Sequence, residues 1–411
     1  MNNYSVTFSI CGYYFKIVTH EERLMEAQKR HIRKFCIKEV EDNAEINTEN
    51  ITATIEYIEN YNAFYSFKEV FNTYNTEIVQ SFEGIFHLKY TENKKEYFCQ
   101  IGDEWVLVKN NDKSYVVIGN GIEDTTKYPF RIVREIFVRK QEEIGKIFMH
   151  GTALEIDGKG IAILGNKQSG KTTFFTKIIE QNCAEILSND RIFFYKDGKK
   201  FNMDYFPIPV VYRKGTIVNS RKLSKYVIEE KHYREEKEFG NIYTGLTVPL
   251  TDMPSIFDGV TLKETTNVDL ILFTKINLNW DKKYEIHRLT EMETVTSMLD
   301  TCFTPIDYES KRKEWIYFRK SCYCNLAKKA NSLIRDIANV SIAYKIEYGK
   351  SVDINSVLND ILQYFWIINQ KIARINFLAI FVFNFISSNS TLKRIQLNKS
   401  IYGGNIWKEY L

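Results

Sequence analysis

Proline is scarce in this sequence, with 6 residues in 411. Long disordered linkers are usually rich in proline and poor in apolar residues, so the scarcity argues against them. The chain is 44% hydrophobic, 26% charged and 14% aromatic, which is the composition of a folded protein. Its length is sufficient for more than one domain with a sizeable buried core.

The cysteines form no CxxC pair, and their number is odd. Neither a disulfide framework nor a zinc site is therefore predicted, and a reducing cytoplasm is the expected location. The Cys322–Cys324 pair has CxC spacing in a predicted helix, where side chains two residues apart point in different directions. We interpret it as packing, with redox or metal chemistry as the alternative. The seven cysteines are Cys11, Cys36, Cys99, Cys183, Cys302, Cys322 and Cys324.

The sequence has no apolar run long enough to cross a bilayer, which takes about 20 residues. Its most apolar segment, Ile375–Ile386, has 12 residues and contains two asparagines. A buried helix is predicted there, with an interfacial or partner-binding helix as the alternative. Met1–His20 alternates between polar and apolar residues, so no signal peptide is expected. The net charge of +4, without a long Lys/Arg run, gives no indication of a nucleic-acid partner.

Residues 1–127 have the pattern of an α+β domain. Tyr4–Ile17 is rich in β-branched and aromatic residues around Gly12, which predicts a strand pair, and Glu21–Ile37 is a charged helix candidate. Apolar runs separated by turn residues then predict a meander of strands at Gly84–Tyr90, Glu96–Ile101, Trp105–Lys109 and Tyr115–Ile118. No catalytic pattern stands out in this part of the sequence.

Strands and helices alternate after residue 127, so residues 128–364 are predicted to form an α/β domain and 365–411 a helical extension. The predicted strands are Ile147–Ile156, Ile161–Leu164, Ala184–Leu187, the hairpin Arg191–Tyr195 with Phe201–Tyr205, Val268–Thr274 and Val340–Tyr348. The predicted helices are Tyr128–Gly145, Thr172–Gln181, Ser220–Phe239, Thr290–Leu299, Lys311–Ala338 and Asp353–Tyr364.

Residues 165–172 match the phosphate-binding motif G-x-x-x-x-G-K-[ST] at every fixed position. Gly165 and Gly170 permit backbone angles that a β-carbon disfavours, so the loop amides can turn inward around an anion. The helix that follows adds the positive end of its dipole. Lys171 would neutralise phosphate charge, and the Thr172 hydroxyl can bind Mg²⁺. The predicted nucleotide-binding set is Gly165, Asn166, Lys167, Gln168, Ser169, Gly170, Lys171, Thr172 and Thr173.

The surroundings of this motif support it, because a predicted strand enters the loop and a helix with an apolar face leaves it. A chance match in an ordinary loop is the weaker alternative. A P-loop also needs a metal-binding group or base at the end of a nearby strand, and Asn189-Asp190 follows the apolar run Ala184–Leu187. If this run is a strand parallel to and beside the one that enters the P-loop, Asp190 would lie on the Thr172 side of the phosphates. The alternative is that Asp190 only forms an Asx turn or the edge of a hairpin. His150 lies at the end of the preceding strand, where a lone histidine is more often structural than catalytic.

Together these residues resemble the catalytic domain of the HPr kinase/phosphorylase family, and look closest to its relatives that modify ribosomally made peptides. The resemblance covers residues 128–364, is specific from His150 to Pro209, and leaves 1–127 and 365–411 unexplained. It implies a mixed-sheet P-loop kinase domain of this type. The matching segments are His150-Gly151-Thr152-Ala153, the turn with Gly158 and Gly160, the P-loop, Leu187-Ser188-Asn189-Asp190 with the hairpin after it, and, more loosely, Phe206–Pro209, Arg213–Gly215 and Leu270–Lys275.

The resemblance also implies roles for individual residues. Lys171 and Thr172 take the places of the family's P-loop lysine and hydroxyl, and Asn189 and Asp190 those of its paired aspartates. Asp190 would accept the proton of the acceptor hydroxyl, and His150 would sit behind it and tune its charge. Asn189 departs from the family's usual aspartate: its amide oxygen can still bind Mg²⁺ but lacks the charge. Lower metal affinity or turnover is therefore expected.

The leading hypothesis is a Mg–ATP-dependent kinase of a Ser/Thr hydroxyl in a peptide or protein, such as a ribosomal peptide precursor, or of a small hydroxylated metabolite. Residues 1–127 would then recognise the acceptor. The second hypothesis is a nucleotide-binding regulatory or interaction protein without phosphotransfer, motivated by Asn189 and by the unexplained terminal regions 1–127 and 365–411. GTPases and ABC ATPases are not favoured, because Thr274–Asn277 is a poor copy of NKxD and LSGGQ is absent. The acceptor, the donor (ATP, GTP or pyrophosphate) and a homo-oligomeric state stay open.

Overall fold

The structure, a computed structural model, describes residues 3–35, 38–40, 48–73, 76–82, 85–100, 105–120, 126–181, 183–206, 208–229, 245–277, 279–305 and 323–363. Over these residues the protein is a mixed α/β structure with its strands in four sheets. Met1–Asn355 belongs to one compact unit and Ser356–Leu411 to a second. The predicted domain boundaries at 127/128 and 364/365 stay predictions.

The first sheet has nine strands in the order β3-β1-β2-β4-β9-β8-β7-β6-β5. The pair predicted in Tyr4–Ile17 is the antiparallel hairpin of the first two strands, and the predicted meander is an antiparallel run of four strands. The strand Ile51–Glu59, fourth in chain order, was not predicted from the sequence. The bounds are β1 Tyr4–Ile10, β2 Tyr13–Thr19, β3 Lys38–Glu39, β4 Ile51–Glu59, β5 Glu77–Phe82, β6 Ile85–Glu92, β7 Lys95–Gln100, β8 Trp105–Asn111 and β9 Ser114–Gly119.

Helices cover both faces of this sheet: α1 (Glu22–Arg33) and α3 (Tyr128–Glu143) on one, α2 (Tyr61–Thr73) on the other. Successive side chains of a strand point to opposite faces, and β8 follows this rule. Trp105 and Leu107 are buried with α1 and α3, whereas Val106 and Val108 are buried with α2. Both faces of the sheet therefore contribute to hydrophobic cores.

The core under α3 extends beyond the first sheet. Phe137 of α3 packs against Tyr13 of β2 at 5.9 Å between ring centroids, and against Phe193 at 5.7 Å and Phe206 at 6.0 Å. Phe148 belongs to the same cluster. One continuous core thus contains residues from both sides of position 127/128.

The remaining strands form sheets of seven, four and two strands, and the seven-stranded sheet has the order β18-β13-β11-β12-β20-β22-β21. The strands are β10 Ile147–Met149, β11 Gly151–Ile156, β12 Lys159–Leu164, β13 Glu185–Ser188, β14 Ile192–Asp197, β15 Lys200–Asp204, β16 Val210–Arg213, β17 Gly245–Val248, β18 Thr261–Leu262, β19 Thr265–Asn267, β20 Leu270–Asn277, β21 Tyr284–Arg288 and β22 Ile342–Gly349. The helices are α4 Lys171–Gln181, α5 Lys214–Val218, α6 Arg221–Glu229, α7 Met253–Ile256, α8 Glu291–Thr301 and α9 Tyr323–Val340, and residues 354–363 are also helical.

The seven-stranded sheet is mixed. β12 is parallel to β20, and β20 is parallel to β22. β11 is antiparallel to both of its neighbours, β12 and β13. β13 therefore runs in the same direction as β12, although it is not the direct neighbour that the sequence analysis expected. The two strands end at the same edge of the sheet because β11 lies between them.

One predicted strand is wrong as a single element. Ile147–Ile156 is divided at His150 into β10 and β11, which belong to different sheets. The His150 amide donates to the carbonyl oxygen of Thr301 at 2.8 Å, whereas the Gly151 amide donates to that of Asp190 at 3.1 Å. Because these two successive amides bond to different segments of the chain, the backbone bends at His150 from one sheet into the other.

Some predictions lie outside the described residues: the extension 365–411 with its apolar segment, Pro207, residues 230–239 of the predicted helix Ser220–Phe239, and residues 311–322 of Lys311–Ala338. Cys36 and Cys322 lie outside them as well. In the part of the chain that the structure describes, no helix is long and apolar enough to cross a membrane.

Candidate active site

Three adjacent strands bring the predicted site residues to one edge of the seven-stranded sheet. β12 leads directly into the P-loop. β11 begins just after His150, and its first residue pairs with the last residue of β12. β13 ends just before Asn189-Asp190, and its last residue pairs with the third residue of β11. Because β11 is antiparallel to both neighbours, its start meets their ends, and the three groups lie together.

The P-loop depends on a glycine at position 170. Gly170 has φ +92°, and a β-carbon there would lie 2.1 Å from the hydroxyl oxygen of Tyr348 and 2.6 Å from Cγ1 of Ile276. Tyr348 lies on β22 and donates its hydroxyl hydrogen to the carbonyl oxygen of Gly170 at 3.0 Å. The motif glycine therefore leaves room for a tyrosine that supports the loop from a strand remote in sequence.

Lys171 is turned back onto the loop that precedes it. Its Nζ donates to the carbonyl oxygens of Gly165 at 2.8 Å and Asn166 at 3.0 Å, and the residue is 7% exposed. Burial lowers the pKa of Lys171 to about 8, and the negative charge of Asp190 opposes that shift. The ammonium group is thus held inside the loop, where a phosphate oxygen could replace the carbonyl oxygens.

The other loop residues differ in what they can offer a ligand. Asn166, Lys167 and Gln168 are exposed at the tip of the loop, with Gln168 at φ +69°. Ser169 is half-buried, with its hydroxyl 3.4 Å from that of Thr274.

The two threonines at the start of α4 also differ. The Thr172 carbonyl accepts a hydrogen bond from Thr176, and its side chain is half-buried. The Thr173 hydroxyl is 3.0 Å from that of Thr216 in α5. The Thr173 hydroxyl therefore has a partner outside the P-loop.

His150 and Asp190 form a hydrogen-bonded pair, with 3.0 Å between Nε2 and Oδ1. Burial would raise the pKa of Asp190, but the His150 hydrogen bond and the charges of Arg191 and Lys171 outweigh it and lower the pKa to about 2. An ionised carboxylate only accepts hydrogen bonds, so His150 Nε2 carries the proton of this bond. Asp190 has φ +67°, a left-handed conformation that Asp and Asn tolerate better than most residues.

The segment after α8 holds His150 in place. Phe303 stacks on the His150 ring at 5.4 Å between centroids and 27° between planes. The Phe303 amide donates to the carbonyl oxygen of Phe148 at 2.7 Å. Sequence reasoning missed Phe303 and Tyr348, because both reach the site through contacts between residues far apart in the chain, which no local motif signals.

Asn189 is almost fully buried, at 4% exposure, and its Oδ1 accepts a hydrogen bond from the Thr152 hydroxyl at 3.2 Å. A carbonyl oxygen has two lone pairs, so one remains for a metal ion. Among the residues the structure describes, no group of three or more His, Cys, Asp or Glu could hold a metal. This donor set fits Mg²⁺ held chiefly by phosphate oxygens and water, with a Thr172 hydroxyl and one amide or carboxylate oxygen.

No protein-family model matches the chain, and no curated protein matches it. Among solved structures, it is similar to the Hpr(Ser) kinase/phosphatase from Coxiella burnetii, with 14% sequence identity and a TM-score of 0.21 over 34% of this chain and 77% of that one.

Proposed function

We propose that the protein is a Mg–ATP-dependent kinase that transfers a phosphoryl group to a hydroxyl group. The observation that carries the proposal is the meeting of the P-loop, the ionised Asp190 and His150 at one sheet edge. Catalysis of phosphoryl transfer is largely positioning, neutralisation of phosphate charge and acceptance of a proton. Residues of this edge are suited to each of these tasks.

Lys171 and the loop amides would bind the phosphates. In the free protein Nζ of Lys171 bonds two loop carbonyl oxygens, and in the complex it would bond phosphate oxygens instead. The start of α4 adds the positive end of its dipole to the same site. Mg²⁺, when bound, would neutralise further phosphate charge beside Thr172 and Asn189.

Asp190 would receive the proton of the acceptor. The acceptor oxygen forms a bond to the γ-phosphorus, the bond from that phosphorus to the bridging oxygen breaks, and ADP leaves with the electron pair. The hydroxyl proton passes to Asp190 Oδ2, because Oδ1 is held by His150. A carboxylate with a pKa of about 2 is a weak base, so its main effect is to orient the hydroxyl before transfer.

The acceptor we propose is a Ser/Thr hydroxyl of a peptide or protein, such as a ribosomal peptide precursor, with a small hydroxylated metabolite as the alternative. The test is calorimetric titration of wild type and Lys171→Ala with Mg–ATP, followed by transfer of radiolabelled phosphate to candidate acceptors and to water. We expect nucleotide binding by wild type only, and label transfer that Asp190→Asn abolishes while nucleotide binding persists.

Lys177→Ala is a matched control, because Lys177 lies on the same helix and pairs with Glu180 at 2.9 Å rather than facing the loop. It should bind nucleotide as wild type does. If wild type bound no nucleotide, or if Lys171→Ala bound it equally well, the P-loop assignment would be wrong.

A second candidate is a nucleotide-binding regulatory protein without phosphotransfer. It is favoured by Asn189, whose neutral amide attracts Mg²⁺ less strongly than a carboxylate would. Nucleotide binding without label transfer to any acceptor or to water would support it. Asn189→Asp separates the two candidates further, since an added carboxylate should raise Mg²⁺ affinity and turnover only in a working kinase.

A further inference from the structure

An arginine cluster, formed by Arg131, Arg134 and Arg191, lies beside the candidate catalytic aspartate. Arg131 and Arg134 are one turn apart on α3, so they share a face of that helix. Arg191 directly follows Asp190 in the turn after β13. Phe137, one turn after Arg134 on α3, packs against Phe193, two residues after Arg191, at 5.7 Å between ring centroids, so this helix lies against the turn that carries Asp190.

Arg191 is held in place by aromatic rings rather than by a close ion pair. Its guanidinium carbon lies 5.0 Å from the ring centroid of Phe303 and 5.7 Å from that of Phe148. Its Nε is 3.5 Å from Asp190 Oδ2, and this buried atom has no hydrogen-bond partner among the described residues. The ring contacts fix the plane of the Arg191 guanidinium but leave its Nε–H without an acceptor among the described residues.

Arg134 has unused capacity of the same kind. Its guanidinium carbon lies 5.4 Å from the ring centroid of Phe35, and its buried Nε has no hydrogen-bond partner in the part of the chain that is described. Burial, with the charges of Arg191 and Arg131, lowers the pKa of Arg134 to about 9, so it stays charged at neutral pH. A partly buried guanidinium lacking an anion is unfavourable, and an incoming anion would relieve that cost.

Each of the two carboxylates near Arg134 has one oxygen hydrogen-bonded to another residue. Glu135 accepts hydrogen bonds from Arg139 Nε at 3.0 Å and Nη2 at 2.5 Å. Asp190 accepts the hydrogen bond from His150. Both carboxylates act on Arg134 through their charge, without a hydrogen bond to its Nε among the described residues.

We propose that the arginine cluster binds an oxyanion of the acceptor, a phosphate or a carboxylate, and that the acceptor is an anionic molecule. Guanidinium groups bind such oxyanions through paired N–H donors of matching geometry. An anion held by Arg134 and Arg191 would place the rest of the acceptor next to Asp190 Oδ2, where the reacting hydroxyl is expected. The inference rests on the proposed function and names the acceptor class for the same site.

The test uses the full chain with its P-loop saturated by a non-hydrolysable Mg–ATP analogue, so that the P-loop does not bind the probe. O-phospho-L-serine, L-glutamate and neutral serine amide are titrated in turn to distinguish phosphate, carboxylate and uncharged probes. We expect binding of at least one of the two anionic probes and none of the amide. Arg134→Gln should weaken that binding about 10- to 100-fold, the range for losing a charged hydrogen bond.

Arg335→Gln is the matched control, since it removes the same charge from an exposed position on α9 and should bind the probe as wild type does. Arg134→Lys keeps the charge without the paired donors and should fall between wild type and Arg134→Gln. No anionic probe binding in wild type, or an equal loss in Arg335→Gln, would overturn the proposal.

Nucleotide titration of each variant separates this proposal from the proposed function. Arg134→Gln with unchanged nucleotide affinity and lost probe binding supports the cluster as a separate subsite. Should wild type bind no nucleotide, the kinase proposal fails. In that case Lys171→Ala, which weakens anion binding by the P-loop, replaces nucleotide saturation. If Lys171→Ala and the double variant Lys171→Ala/Arg134→Gln bound the anionic probes with equal affinity, the anion site would be refuted.

Discussion

Raising the pH from 7 to 9 should weaken Mg–ATP binding about ninefold, because Lys171 loses its charge over that interval. Burial lowers the pKa of Lys171 to about 8. With that pKa the ammonium group is about 90% charged at pH 7 and about 10% charged at pH 9, a difference of about 1.3 kcal/mol in binding free energy. Bound phosphate would restore the charge, since an opposite charge raises the pKa of a lysine.

Calorimetric titration at both pH values, in buffers with different ionisation enthalpies, counts the protons taken up on binding. About 0.9 proton should enter with each nucleotide at pH 9 and about 0.1 at pH 7. The terminal phosphate titrates near pH 6, below this window. Asp190→Asn should shift the loss of affinity to lower pH, because the Asp190 charge raises the pKa of Lys171.

Equal affinity at pH 7 and pH 9, with no proton uptake, would refute this reasoning, since it would mean that Lys171 is fully charged in the free protein or does not contact the phosphates. Lys171→Ala serves as the control. Any binding that it retains should not depend on pH between 7 and 9.

Three further predictions concern the fold around the site. Gly170→Ala should abolish nucleotide binding and lower the melting temperature, because its β-carbon would lie 2.1 Å from the Tyr348 hydroxyl. Arg139→Met should lower the free energy of unfolding in urea by about 3–5 kcal/mol, because it leaves the buried Glu142 carboxylate without its counter-charge, whereas Lys140→Met should cost less than about 1 kcal/mol. Asp190→Asn should be less stable than wild type at pH 6, by a small amount since the side chain is 43% exposed. That difference in stability should vanish as the pH falls from about 4 to about 2, because the Asp190 carboxylate becomes protonated over this range and its interactions with the neighbouring positive charges are lost.

The parts of the fold that local sequence determines were predictable. The strand, loop and helix of the phosphate motif were predicted as Ile161–Leu164 and Thr172–Gln181 and are observed as Lys159–Leu164 and Lys171–Gln181. Glycine spacing and apolar periodicity act within a few residues, so one sequence is enough to detect them. The meander β6–β9 was predicted for the same reason.

The rest depends on residues far apart in the chain. His150 breaks a strand because it bonds Thr301, and Tyr348 completes the P-loop from β22. β11 lies between β12 and β13 in the sheet, and neither the periodicity of apolar residues nor the spacing of motifs in the sequence predicts this strand order. Arg134 lies more than 50 residues before Asp190 and carries no motif, so only the fold shows that the charges of the two residues act on each other.

The core shared across α3 makes the N-terminal sheet an integral part of the molecule rather than a removable module. A fragment beginning at Tyr128 would leave the aromatic face of α3 against water, since Tyr13 and its neighbours would be gone. Such a fragment is expected to aggregate on expression. The candidate site could therefore not be studied on a fragment that begins at Tyr128. Over evolution, substitutions on either side of that helix would be constrained together.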